Sequence, residues 1–386
     1  MLLALLPLLV FKYYNFINES VSEGLSHIGL KFSLPGLNWA IPVGISFFSF
    51  QAVGYMLDVY HQRIKKEKSL LDYMLFVSFV PQIASGPISK ANELLPQIKN
   101  QHKFDYLQAV SGLKYLLWGM FLKVVLADRA GIYVDTVFNE YQKFSGIGCG
   151  LASILYSIQI YADFAGYSLM AVGIAKTLGF NLINNFNRPY FSISITDFWR
   201  RWHISLSRWL KDYVYIPMGG SRCSKLKNYW NIFVTFLVSG IWHGANWTFI
   251  VWGIIHGLCQ IVEKAFGWSK KQYSGISKAF RILLTFGIVT LAWVIFRSPS
   301  ITDAFGLMSR YFTMSGTHFA GGSTLVYIFM AMIPLVIYEI LKEFCPKTYS
   351  SFADKKVIRW IAYLAIFCMI VLVGVHDGSS FIYVSF

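Results

Sequence analysis

The sequence predicts an all-α polytopic integral membrane protein, and three observations carry that prediction. Of the 386 residues 55% are hydrophobic and only 14% are charged. Mean hydropathy is +0.50, outside the usual balance of a water-soluble domain. Apolar runs recur at the length a bilayer-crossing helix needs, roughly 20 residues, because lipid offers the backbone no hydrogen-bond partner. About ten transmembrane or re-entrant segments follow from that spacing. With no soluble domain, long linker or internal repeat, residues 1–386 read as one domain.

The first segment begins at Met1 in the run Met1-Leu-Leu-Ala-Leu-Leu-Pro-Leu-Leu-Val10. It lacks the basic leader and small-residue cleavage site of a signal peptide, so a retained membrane helix is expected. A second begins near Ala40 and a third near Leu70, where Pro81 and Pro87 interrupt the run to Ile88. A fourth begins near Phe104, and the fifth runs from Gly146 to Gly179 with Gly166 and Gly173 at mid-depth. Broken helices are tolerated in lipid where they line a protein-buried or wet cavity, so these interruptions predict a recessed interior site. Five more segments begin near Tyr229, Trp247, Phe280, Leu325 and Val357.

Thr196 to Tyr215 differs in character. At 100° per residue Trp199, Trp202, Leu206, Trp209 and Tyr213 share one face, with Arg200, Arg208 and Lys211 opposite. This pattern predicts one amphipathic helix at the headgroup boundary, or packed re-entrantly, with Thr196 as N-cap, Asp197 at the positive end of the dipole and Pro217 past its end. The turn-rich loop Asn184 to Tyr190 is expected to set it in place.

The excess of 34 Lys+Arg over 19 Asp+Glu gives a formal charge of +15. Its basic clusters, among them His61 to Lys68 and Ser221 to Lys227, lie between apolar runs. That placement fits cytoplasmic loops against anionic lipid and argues against nucleic acid. The scattered cysteines, Cys149, Cys223, Cys259, Cys345 and Cys368, make neither a disulfide framework nor a thiolate metal site.

Chemistry concentrates in two blocks, Asp197 to Trp209 and Ile241 to Trp247, each placing a histidine among tryptophans. His243 follows an apolar run between Gly240 and Gly244, and an ionisable residue at such depth is a functional candidate. Imidazole can take a proton from a hydroxyl and return it near neutral pH. His203 faces both the tryptophan stripe and a polar rim, and reads equally as a second site residue or an interfacial hydrogen-bond donor. Asn246 either orients a carbonyl or histidine or caps a broken helix, and His256 reads as packing. Asp163, inside an apolar helix, is read as half of an internal ion pair with a cation such as Arg188 or Arg200, with a proton relay or part of a substrate path as the alternatives.

These blocks resemble the bacterial membrane-bound O-acyltransferases, in the branch of alginate O-acetylases and peptidoglycan O-acetylation membrane subunits. The similarity runs through Pro42 to Gln51, Asp58 to Tyr60, Phe79 to Gln82 with Gly86 and Pro87, Asp163 to Ser168, Asn185 to Tyr190, Thr196 to His203 and Trp242 to Trp247. The resemblance implies a helical bundle around a central tunnel in the bacterial cytoplasmic membrane. Its implied catalytic residue is His243, with His203 as the second active-site histidine. The donor would be acetyl-CoA or another acyl thioester, with no tightly bound cofactor and no metal. Arg200 and Arg201, with Arg208 and Lys211, would either attract its phosphates or anchor the interface. Asn246 and Asp163 would support the site.

The ending Phe381 to Phe386 resembles the Phe-x-Tyr-x-x-Phe terminus of this branch, which implies that Tyr383 carries the acyl group to an extracytoplasmic acetyltransferase partner and then to a polysaccharide acceptor. Family members carry further helices ahead of the segment corresponding to Phe11 to Phe16, so the chain reads as a short form or an incomplete product. The alternative function is a transporter or lipid-linked glycan flippase using Asp163 and the histidines as a polar path.

Overall fold

The computed structural model of the chain describes residues 2–32, 34–39, 42, 44–83 and 86–376. Among these residues every regular element is helical, and one isolated β-bridge joins Phe144 to Thr317. Each apolar segment drawn from the sequence is occupied by a helix. Among the described residues five helices, against the ten or so transmembrane or re-entrant segments expected, are long and apolar enough to cross a membrane: Tyr106–Asn139, Gly146–Thr177, Gly275–Arg297, Gly322–Phe344 and Lys356–Val373. The chain is a multi-pass membrane protein.

The five differ in what surrounds them. Gly146–Thr177 is mostly buried inside the protein and is the central post, whereas Lys356–Val373 is largely exposed, with Ile370 its one buried residue, as suits a lipid-facing helix. Tyr106–Met120 packs antiparallel along the post, and Lys225–His243 forms a hairpin with Trp247–Ala265. Gly275–Arg297 lies between that hairpin and the post, joining the two halves.

Gly166 and Gly173 do not break the post; they let another helix touch it. A Cβ on Gly166 would lie 2.8 Å from the Gly119 carbonyl oxygen, and one on Gly173 would lie 2.7 Å from that of Gly112. The reciprocal approaches, from Gly112 and Gly119, are 2.6 Å. Four glycines thus form a seam where two backbones meet, the close approach that small residues permit between membrane helices. The prolines do mark an interruption, because Leu70–Val77 stops before Pro81, a short turn Val80–Ile83 follows, and the next helix is Ala91–Lys99.

Asp163 is paired, but with neither arginine expected for it. Its carboxylate lies 2.8 Å from the Lys123 ammonium, which also holds Asp128 at 2.5 Å. Lys123 sits in the π turn Phe121–Ala127 inside the long helix Tyr106–Asn139. Arg188 binds Glu343 instead, at 2.7 Å, and Arg200 is exposed. The reason is depth: Lys123 lies on the helix packed against the post, whereas the arginines sit on the later polar loop and amphipathic segment.

Candidate active site

The amphipathic segment folds as two short helices, Ile195–Arg201 and Ile204–Leu210, followed by the π turn Lys211–Tyr215. Its N-cap is Ser194, whose hydroxyl accepts from the Asp197 amide, and not Thr196. Thr196 already lies inside the helix. A second cap comes from far along the chain. The Glu263 carboxylate accepts from the Ile195 amide at 2.6 Å, and from the Thr196 amide and hydroxyl at 2.9 Å each. An anion at the positive end of a helix is doubly favoured there.

The single helix is broken at His203, which takes the left-handed conformation (φ 43°, ψ 55°), costly for any residue but glycine. The loop before it holds the break. Asn185 accepts from the Ile204 amide through its carbonyl (3.0 Å) and from the Ser205 amide through its side chain (3.1 Å), and the Asn187 amide donates to the Arg201 carbonyl at 2.9 Å. Ser205 in turn accepts from the Ile88 amide at 3.0 Å, tying the break to the proline-rich interruption. The tryptophan stripe is fully interior: Trp199, Trp202, Leu206 and Trp209 are all buried. The segment thus packs its aromatic face inside the bundle, with Tyr213 half-buried at its end.

His203 and His243 are brought together around Trp242. The Trp242 ring centroid is 6.1 Å from that of His203 and 4.9 Å from that of His243. Phe164 of the central post stands edge-on to His203 at 4.6 Å, while Trp252 and Phe296 flank His243 at 5.0 and 5.4 Å. Both histidines are buried, and neither ring nitrogen of His203 meets a hydrogen-bond partner among the described residues. A buried imidazole with both nitrogens unspent is costly in a structural role and suits a group that meets a substrate. Gly244 is required where it stands, since a Cβ would lie 2.0 Å from the Phe249 ring.

The remaining candidates separate from this pair. Asn246 caps Trp247–Ala265, accepting from the Thr248 amide at 3.0 Å and donating to the Pro299 carbonyl at 2.9 Å, so its amide orients neither histidine. Arg201 is held by Asp197 (3.1 Å) and Glu343 (3.0 Å), and Arg208 pairs with Glu93. Arg200 and Lys211 are exposed. Asp163 adjoins Phe164 on the post, next to the site without entering it. Tyr383 lies outside the described residues.

His256 is packing, as the sequence suggested, while Glu263 and Lys12 escaped sequence reading. His256 is fully buried and accepts a hydrogen bond from the Trp199 indole at 3.2 Å, which makes it part of the wall. Glu263 and Lys12 belong to no sequence motif. For these no local pattern exists, because their partners lie far along the chain. Among the described residues no cluster of His, Cys, Asp or Glu could hold a metal ion.

Residues 37–300 match the model of the membrane-bound O-acyltransferase family. The chain is 41% identical over 293 residues to a probable alginate O-acetylase of Pseudomonas syringae pv. tomato, covering 75% of this chain and 55% of that protein. It is 33% identical to the peptidoglycan O-acetyltransferase of Helicobacter pylori over 97% of this chain and 79% of that one. A teichoic acid D-alanyltransferase of Streptococcus thermophilus is 30% identical over 66% and 68% of the two chains. The chain thus spans about half the length of the alginate O-acetylases it matches. A match over this stretch, which includes both histidine blocks, places the chain in the membrane-bound O-acyltransferase family.

Proposed function

We propose that the protein transfers an acyl group, acetyl first among candidates, from a thioester donor such as acetyl-CoA to a hydroxyl acceptor within the bundle. The observation that carries this reading is the meeting of His203 and His243 around Trp242 in a buried aromatic enclosure. A neutral His243 imidazole takes the proton of the acceptor hydroxyl as its oxygen attacks the thioester carbonyl carbon. The tetrahedral intermediate collapses with cleavage of the C–S bond, and the imidazolium returns the proton to the departing thiolate. His203, with both ring nitrogens unspent, donates to the carbonyl oxygen as negative charge gathers there.

The relatives' names support acyl transfer to the cell envelope: alginate, peptidoglycan and teichoic acid. We assign this chain to the bacterial cytoplasmic membrane, with a cell-envelope polysaccharide or exopolysaccharide as final acceptor and an extracytoplasmic transferase as partner. Tyr383 is the proposed intermediate acceptor, since a phenol is a better leaving group than an alkyl alcohol and keeps the acyl ester activated.

The test is thioester consumption by purified protein in nanodiscs, with His243→Ala beside wild type. Turnover should fall by at least two to three orders of magnitude, in line with loss of a general base. Wild-type turnover in a folded variant would sink the assignment, and absence of thioester consumption by wild type would favour the transporter reading. Tyr383→Phe, which removes only the accepting hydroxyl, should lose transfer to polysaccharide, and unchanged transfer would reject the carrier step.

A further inference from the structure

The helix Lys225–His243 ends on the histidine assigned above, and its last turn is finished by another part of the chain. A helix leaves its final carbonyls without internal partners. Many helices solve this with a left-handed residue that folds the chain back, but here Gly244 is extended (φ −169°, ψ 159°) and the chain runs straight on. The carbonyls are taken instead by the N-terminal helix. The Lys12 ammonium donates to the Trp242 carbonyl at 3.0 Å and to the His243 carbonyl at 2.8 Å, and the Tyr13 hydroxyl donates to the Ile241 carbonyl.

Three consecutive carbonyls are thus held by two consecutive residues. Lys12 and Tyr13 close the π turn Leu9–Tyr13, which lies between Leu2–Leu8 and Tyr14–Ser26. A π turn carries more residues per turn than an α turn, so neighbouring side chains splay less and both can reach one target. Ser46 completes the grip: its hydroxyl lies 3.4 Å from Lys12 Nζ, and its carbonyl accepts from the Trp242 indole at 3.4 Å. Both Lys12 and Tyr13 are buried. A cation at a helix C-terminus also meets the negative end of the dipole.

We propose that Lys12, assisted by Tyr13, is the positioning residue of the acyl-transfer site. It fixes the backbone of Trp242 and His243, and so the ring of Trp242 that touches both histidines. This inference rests on the assignment of His243 above. Lys12 reaches no reacting atom, so its loss should alter catalytic geometry more than substrate affinity. Displacement of a catalytic group by about 1 Å can cost on the order of a hundredfold in rate.

Lys12→Met keeps the length of the stem and removes the three donors. In nanodisc-reconstituted protein that elutes as wild type, thioester turnover should fall ten- to a hundredfold with KM for the donor within twofold, and Lys12→Arg should recover most of it. Wild-type turnover in Lys12→Met, or a loss lying wholly in KM, would overturn the proposal. So would an equal loss in Lys12→Arg. If Lys12→Met yields no folded protein, Tyr13→Phe decides: a severalfold fall in kcat at constant KM supports the clamp, and unchanged kcat rejects it. His243→Ala in the same assay keeps the two ideas apart. Inactive His243→Ala beside fully active Lys12→Met defeats only the positioning role, whereas active His243→Ala defeats the site assignment itself.

Discussion

Glu263 offers a quantitative test of how the segment that begins with Ile195–Arg201 is held. Its carboxylate accepts three hydrogen bonds at the start of Ile195–Arg201, eight residues before the break at His203. It is 7% exposed, so water offers little relief if a partner is lost. Glu263→Gln keeps the shape but leaves one oxygen. With that oxygen on the Ile195 amide, the new NH2 faces the Thr196 amide, donor against donor. One charge-assisted bond weakens to a neutral one and one backbone donor is left buried. At roughly 1.5–3 kcal/mol for a hydrogen bond to a charged group, the net cost is about 3 kcal/mol. A factor of ten corresponds to about 1.4 kcal/mol, so opening of this helix should become on the order of a hundredfold more frequent. Hydrogen exchange of peptides covering 193–203 reads that frequency directly. Protection there should fall by about two orders of magnitude while peptides from Gly146–Thr177 stay unchanged. Unaltered exchange in a folded Glu263→Gln protein would show that Ser194 alone caps the helix and that the reasoning about Glu263 is wrong.

Other substitutions probe the rest of the architecture. Gly119→Ala should cost about 1–3 kcal/mol and lower the yield of monodisperse protein, because its methyl would meet the Gly166 carbonyl at 2.6 Å, whereas Gly150→Ala meets nothing within 4 Å and should leave yield and melting unchanged. Lys123→Met removes the cation that Asp128 and Asp163 share and should destabilise by about 3–5 kcal/mol; Asp163→Asn, which leaves Lys123 with Asp128, should cost less, as thermal unfolding in detergent would reveal. His203→Gly and His203→Ala both delete the buried ring and should lose turnover, but glycine is spared about 1 kcal/mol of left-handed strain, so His203→Ala should melt lower than His203→Gly.

The membrane helices were legible because lipid imposes a length and a composition that composition scanning detects directly. The tryptophan-histidine blocks were legible for a related reason, since polar rings inside apolar runs stand out. The break at His203 was not. The period of Trp199, Trp202, Leu206 and Trp209 continues across it, and what ends the helix is the hold of Asn185 on the following amides, a contact no local pattern encodes. The glycines of the central post misled in the opposite sense. A glycine at mid-helix reads as a weak point, yet between two membrane helices it is the point of closest contact. Asp163 read correctly as half of an ion pair, but its partner depended on which helix packs against the post.

The grip of Lys12 on residues 241–243 also sets an order of events in biogenesis. The N-terminal helix leaves the ribosome long before its partner exists. Until Trp242 and His243 have been made, the Lys12 ammonium has none of the carbonyls that hold it in the finished protein. A buried ammonium without partners is costly, so the helix that carries Lys12 should settle into its final place only when the Lys225–His243 helix arrives. Closure of the last turn of Lys225–His243 and final seating of the helix that carries Lys12 then become one late step, and a nascent chain stopped short of residue 241 would leave that helix as a target for quality-control proteolysis.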